Sequence, residues 1–201
     1  MLKIRPPKVE RKMIVPFTAE HLRKLIKLCD LDTFCGLRNR AMIMVFLDTG
    51  IRKKEMWLMK VEDVDFDRGV IKVHGKGAKE RVVGIVQPTQ KVILQYLLSR
   101  EDTHPCMWVN EEREPLTYHG ITMIFKVLAR RAGFKDVRCS PHTFRHTAAT
   151  MSLDNGAGEF QVQAMLGHST LTMTRRYVAT LNSEKAAEAH KRFSPVEHLK
   201  L

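Results

Sequence analysis

The sequence lacks any apolar run that approaches the roughly 20 residues of a membrane-spanning helix. Its first residues, MLKIRPP, also lack the apolar core of a signal peptide. We therefore expect a cytoplasmic protein that has no membrane partner.

Closely spaced cysteines are missing as well. Four cysteines are scattered along the chain without a CxxC pair: Cys29, Cys35, Cys106 and Cys139. In a reducing compartment such cysteines are free thiols, most of them buried. His142 and His146 have the spacing of two zinc ligands on a helix, but no third ligand is suitably placed. We expect no metal site.

Acidic residues are few relative to basic ones. The 22 Asp and Glu residues face 34 Lys and Arg residues, which gives a formal net charge of +12. An excess of this size favours a polyanionic partner, with nucleic acid first and an acidic membrane surface second. The alternative is a basic protein without such a partner.

The pattern of apolar residues predicts a mainly α-helical domain with one small sheet, in the α+β class. Helices are expected from Thr18 to about residue 29 and near residues 37–48, 53–59, 88–100, 117–132, 141–153, 160–166, 171–178 and 184–192. Gly50, Gly133 and Gly167 stand where helices would end. Three β-branched runs at residues 61–66, 70–73 and 81–85, separated by tight-turn sequences, predict a three-stranded antiparallel sheet.

Three nearby segments carry side chains suited to phosphodiester chemistry. They read SPHTFRH at 140–146, LGHST at 166–170 and RRY at 175–177. An attack by tyrosine on a phosphodiester builds negative charge in the transition state, which arginine stabilises with paired hydrogen bonds. The phenol, whose ordinary pKa is about 10, needs a base, and the leaving oxygen needs an acid.

The position of each segment supports this chemistry, although each has a simpler interpretation. Ser140 would cap a helix, which puts His142 and Arg145 near its positive end, where an anion binds well. Alternatively, both side chains are solvated on a surface helix. Arg52 follows a helix terminator, and Glu55 could orient it, but an ordinary surface ion pair has the same spacing.

The remaining candidates lie on turns and on the last helices. The loop GKGAK at 75–79 would carry Lys76 on a hairpin tip that can reach into a groove, or it is a phosphate-contacting or solvated turn. It is not a nucleotide-binding P-loop, because the GxxxxGK pattern and the following helix are missing. His168 follows a helix-ending glycine, and Tyr177 lies on the next helix, where tyrosine more often packs than reacts.

Together these motifs resemble a known family. In order, TGIRKKE at 49–55, GKG at 75–77, HTFRH at 142–146, LGH at 166–168 and then Tyr177 are similar to the catalytic domain of tyrosine recombinases, the phage-integrase family. The resemblance covers about residues 14–180. It implies the tyrosine-recombinase catalytic-domain fold for residues 14–180, with residues 181–201 as a tail helix that docks on a neighbouring protomer. The basic, proline-bearing residues at the start predict a linker or arm over residues 1–13.

The resemblance also implies a role for each site residue. Arg52 and Arg145 would clamp the scissile phosphate, and His142 and His168 would add hydrogen bonds, with His142 as a candidate base. Tyr177 would attack to form a 3′-phosphotyrosine.

Two further residues would assist. Lys76 would protonate the departing 5′-oxygen, and Glu55 would support the site without touching the phosphate. No metal or other cofactor is implied, because the cationic side chains supply the charge that a divalent ion would otherwise bring.

The function implied is site-specific cleavage and rejoining of double-stranded DNA, with self-assembly into a tetrameric synapse on nucleoid DNA and an origin in a mobile element. Family members usually carry an N-terminal helical domain, whereas about fifteen residues precede the match here, so we expect a fragment of a longer protein. The alternatives are a type IB topoisomerase and a non-catalytic DNA-binding accessory protein. An RNA-binding module is disfavoured because no aromatic-rich RNP-type strand is present.

Overall fold

The computed structural model describes residues 14–75 and 80–167. Its helices and strands are, in chain order, α1 (Ala19–Lys27), α2 (Phe34–Thr49), α3 (Lys53–Leu58), β1 (Val64–Asp65), β2 (Val70–His74), β3 (Glu80–Gly84), α4 (Gln87–Leu98), α5 (Tyr118–Ala132), α6 (Pro141–Asp154) and α7 (Glu159–Leu166). The predicted fold class, mainly helical with a small three-stranded antiparallel sheet, is confirmed. The predicted arm, the last two helices and the tail lie outside the described residues.

The sheet has the order β1-β2-β3 with antiparallel neighbours. His74 pairs with Glu80 at the loop end of the β2–β3 hairpin. The first strand is shorter than predicted, because Val61–Asp63 forms a 3₁₀ turn. The carboxylate of Asp63 stabilises that turn by accepting a hydrogen bond from the Lys60 amide at 2.8 Å.

Helix α2 is the centre of the core. Residues on every side of it are buried, among them Met42, Ile43, Val45 and Phe46. Residues 41–47 of α2 are apolar on every side and must be covered all round, and α4, α6 and β3 pack against the helix. The end of α2 therefore lies deep in the domain, close to α6.

Local sequence signals set the helix ends as predicted. The hydroxyl groups of Thr18, Thr117 and Ser140 each accept a hydrogen bond from a first-turn amide. Gly50 and Gly167 adopt left-handed conformations, with φ values of 58° and 63°, after the last residues of α2 and α7. These two glycines bring their carbonyl groups into the candidate site described below.

Gly50→Ala is expected to lower the free energy of unfolding by about 2–4 kcal/mol, because it combines left-handed strain with a steric clash. A Cβ atom at Gly50 would lie 2.6 Å from Cδ2 of Leu166. Gly133 is the matched control: it has a φ of 68°, but a Cβ there would meet no atom within 4 Å. Gly133→Ala should cost only about 1–2 kcal/mol of backbone strain. If urea unfolding gave the same loss of free energy for Gly50→Ala and Gly133→Ala, close packing at Gly50 would be unimportant.

All four cysteines are free thiols, with Cys29 and Cys139 buried and the other two partly exposed. Burial raises the pKa of Cys29 to about 11 and that of Cys139 to about 12. Both thiols therefore stay protonated and unreactive at neutral pH. Among the described helices, none is both long enough and apolar enough to cross a membrane.

Candidate active site at the end of helix α7

The structure describes four of the seven residues that the sequence predicts for the site: Arg52, Glu55, His142 and Arg145. The other three lie outside the described residues: Lys76, His168 and Tyr177. The described four come from the starts of α3 and α6, and three of them meet at the C-terminal end of α7.

Arg145 joins the ends of two helices. It lies in the second turn of α6, and only 7% of its surface is exposed. Its Nη1 donates to the carbonyl of Gly50 at 2.6 Å, and its Nη2 donates to the carbonyl of Leu166 at 2.8 Å. Carbonyl groups at a helix end lack partners within the helix and carry the negative end of its dipole, so they hold a guanidinium well. The alternative of a solvated Arg145 is therefore wrong.

Arg52 is the residue that precedes α3. Its Nη1 donates to Oε1 of Glu55 at 2.9 Å, and its Nη2 donates to the carbonyl of Gly167 at 3.0 Å. The side chain is nevertheless 41% exposed. Arg52 is thus fixed by both terminal nitrogens and still open to a ligand from solvent.

Arg81, on β3, belongs to the candidate site but was not predicted from the sequence. Its Nη1 and Nη2 donate to the two carboxylate oxygens of Glu55, each at 2.9 Å, and its Nε donates to the carbonyl of Met165 at 3.2 Å. A signal was available, because Arg81 lies two residues before the buried Val83 on a strand and so shares its inward face. A charge that faces inward requires partners.

Glu55 is an internal carboxylate rather than a surface one, since only 4% of its side chain is exposed. Besides its bonds to the two arginine side chains, its Oε2 accepts a hydrogen bond from the Arg52 amide at 2.7 Å. The four hydrogen bonds fill the acceptor sites that an ionised carboxylate offers. Burial alone would raise the pKa of Glu55, but the hydrogen bonds from Arg81 and Arg52 and the charge of Arg81 outweigh it and lower that pKa.

The three arginines meet on three successive carbonyl groups. Met165 accepts from Arg81, Leu166 from Arg145 and Gly167 from Arg52, although the arginines come from β3, α6 and the start of α3. The two preceding carbonyls of α7 accept from the Gly167 amide. The negative end of α7 is thereby fully satisfied, and the chain is held at the residue before His168.

His142 stands in the first turn of α6 and is exposed, unlike Arg145. The Ser140 cap, whose hydroxyl accepts from the Thr143 amide at 3.3 Å, fixes this turn. His146 lies partly buried one turn further on. Burial lowers the pKa of His146, and a hydrogen bond with the Ile14 backbone opposes that shift. Across residues 14–75 and 80–167, no cluster of three or more His, Cys, Asp or Glu side chains could hold a metal ion.

Comparisons with known proteins agree with the fold and identify the family. The model of the phage integrase family matches residues 16–184. The tyrosine recombinase XerA of Pyrococcus furiosus is 32% identical over 201 residues, which cover 98% of this chain and 68% of that protein. The tyrosine recombinase XerC of Syntrophus aciditrophicus is 30% identical over 183 residues, covering 86% of this chain and 59% of that protein.

A solved structure extends the likeness to the backbone. The crystal structure of XerA recombinase superimposes with a TM-score of 0.74 at 28% identity, covering 95% of this chain and 67% of that one. The architecture is that of a tyrosine recombinase catalytic domain. The chain belongs to the phage integrase family, as its motifs predicted. It spans between 59% and 68% of the length of these relatives.

Proposed function

We propose that this protein cleaves and rejoins double-stranded DNA at specific sites through a 3′-phosphotyrosine at Tyr177. The observation that carries the proposal is the pair Arg52 and Arg145, which is anchored on the adjacent carbonyls of Gly167 and Leu166. Family membership supports it, and so does the net charge of +12, which suits a polyanionic substrate.

The anchoring explains how the two arginines would work together. Successive Cα atoms lie about 3.8 Å apart, so guanidinium groups bound to successive carbonyls are close neighbours. One phosphodiester could then accept a hydrogen bond from each arginine on its two non-bridging oxygens. Because neither arginine must be reoriented when the phosphate arrives, the pair is preorganised for the charge that grows in the transition state.

Tyr177 forms the new bond and the 5′-oxygen leaves. The phenol oxygen attacks phosphorus while the bond from phosphorus to the 5′-oxygen breaks, so the ester energy is kept in the phosphotyrosine. In this proposal His142, which is exposed at the start of α6, hydrogen-bonds the phosphate and takes the phenolic proton. Lys76 returns a proton to the 5′-oxygen. Rejoining reverses these steps with a 5′-hydroxyl of either strand, and no step needs a metal, a nucleotide or another cofactor.

The same proposal covers partners and location. His168, next to the held carbonyl of Gly167, adds a hydrogen bond to the phosphate. The protein assembles as a tetramer on nucleoid DNA in the cytoplasm, and residues 181–201 dock on the neighbouring protomer. Origin in a mobile element stays a prediction.

Covalent trapping tests the activity directly. The chain and its Tyr177→Phe variant are incubated at low ionic strength, where phosphate contacts are strongest, with a pool of labelled nicked duplexes cut from genomic DNA. We expect an SDS-stable adduct whose attached peptide contains Tyr177 and whose DNA defines a preferred site. The Phe variant should give no adduct.

The other outcomes distinguish the alternatives. Relaxation of supercoiled plasmids that lack the trapped site would indicate a topoisomerase of type IB. Binding to duplex DNA without any adduct would contradict the proposal and indicate an accessory protein.

A further inference from the structure

We infer that Arg81 is a positioning residue for the cleavage reaction and that it links the β2–β3 hairpin to the arginine pair. The inference rests on the proposed function. Arg81 does not need to touch the phosphate for this role, because it acts through Glu55 on Arg52 and through Met165 on the end of α7.

The first link is the paired contact with Glu55. Two parallel hydrogen bonds of 2.9 Å fix the plane of the carboxylate as well as its distance. Oε1 of Glu55 also accepts from Arg52 at 2.9 Å. Without Arg81 the carboxylate would keep two of its four hydrogen bonds, both from Arg52: one from the side chain to Oε1 and one from the amide to Oε2. Arg81 adds two bonds from a separate element, β3, and so limits the movement of the carboxylate and of the Arg52 guanidinium bound to it.

The second link is the contact with α7. The Nε of Arg81 donates to the carbonyl of Met165, and its guanidinium lies against Gly167. A Cβ atom at Gly167 would come within 3.0 Å of Cζ of Arg81. The absence of a side chain at Gly167 therefore lets Arg81 approach the backbone immediately before His168. Arg81 thus helps to fix the backbone position from which the chain continues to His168.

The third link is to the hairpin. Arg81 pairs with Val73 across β2 and β3, and the loop that carries Lys76 joins these two strands. Side-chain contacts also link the strands beside that loop: Glu80 forms an ion pair with Lys72 at 2.9 Å and contacts His74 at 3.2 Å. A displacement of the hairpin would move Arg81, and with it the carboxylate that orients Arg52. The loop and the phosphate clamp are therefore mechanically connected.

The variant Arg81→Lys tests the inference, because it keeps the positive charge but loses the planar guanidinium that donates two parallel hydrogen bonds to Glu55. With the nicked duplex recovered from trapping, we expect the single-turnover rate of adduct formation to fall about 10- to 100-fold, the size of effect that a small misplacement of reacting groups produces. Duplex affinity should change less than about threefold, because no phosphate contact is lost. Arg68→Lys is the matched control, since Arg68 lies near the same sheet with 71% of its side chain exposed.

A double-variant cycle separates positioning from general stability. If Arg81 acts in part through Arg52, the fold-loss in rate caused by Arg81→Lys should be clearly smaller in the Arg52→Ala background than in the wild type. Melting temperatures are measured for all variants. Arg81→Gln, which keeps a donor on a shorter side chain, should repeat the pattern if Arg81→Lys does not fold.

Each result has a defined meaning. A wild-type rate for Arg81→Lys would overturn the inference, and so would a double variant whose loss in rate equals the product of the two single losses. In either case an adduct at Tyr177 in the wild-type chain would still support the proposed function. A wild-type chain that forms no Tyr177 adduct would overturn both.

Discussion

Arg145→Ala is expected to lower the rate of adduct formation by roughly 10²- to 10³-fold, the effect of removing one preorganised donor from a developing negative charge. The same change should lower the free energy of unfolding by about 2–4 kcal/mol, because two buried carbonyls, of Gly50 and Leu166, lose a charged donor. The rate is measured by single-turnover trapping and the stability by urea unfolding.

The control for Arg145 removes the same charge from an exposed position. Arg23 lies on the surface of α1, so Arg23→Ala should change stability by less than about 0.5 kcal/mol and leave the adduct rate nearly unchanged. Arg145→Lys adds a second comparison: one ammonium cannot reach two carbonyls in the geometry of a planar fork. Full activity in Arg145→Lys would show that charge alone suffices and that the anchoring between α2 and α7 is not required.

Glu55→Gln should give the largest loss of stability in the site, about 3–5 kcal/mol, because it removes one member of a buried ion-pair network and leaves arginine charge uncompensated. Gln keeps the shape of Glu but has only one carbonyl oxygen to accept the four hydrogen bonds that the carboxylate receives. The adduct rate should fall as well, because Arg52 loses its support. Chemical unfolding at pH 7 gives the stability difference.

The pH dependence of this difference follows from the lowered pKa of Glu55. A carboxyl group whose pKa is lower in the folded state stabilises the fold at every pH above its unfolded value, which is about 4.3 for Glu. That stabilisation is lost as the pH falls through the lower, folded value. The gap between wild type and Glu55→Gln should therefore be constant from pH 7 to about pH 5 and narrow in stronger acid. Glu112→Gln, at an exposed turn, should unfold with the same free energy as the wild type at every pH. A difference between wild type and Glu55→Gln that grows in acid would contradict an ionised Glu55.

The sequence predicted what depends on neighbours along the chain. Ser140 capped its helix and Gly50 ended one, because these effects act within a single turn. The spacing of Arg52 and Glu55 likewise predicted their ion pair. The spacing could not predict that Glu55 is internal, since its burial depends on β3 and α7.

The partners of the arginines lie too far away in sequence to be predicted. Arg145 binds the carbonyl of Gly50, 95 residues away, and Arg81 binds that of Met165, 84 residues away. Backbone carbonyls carry no residue-specific signal, so nothing in the pattern marked Met165 as an acceptor. The roles of Lys76, His168 and Tyr177 stay predictions from the motifs.

The convergence of three arginines at the end of α7 determines how DNA cleavage would respond to damage of the protein. Because β3, the start of α3 and α6 each contribute one arginine, the proposed cutting centre forms only when all of these segments are docked together. A nascent, nicked or partly melted chain has scattered arginines and no preorganised pocket. Damage to this protein should therefore abolish cutting at once, instead of releasing a slow nuclease that breaks chromosomes at random.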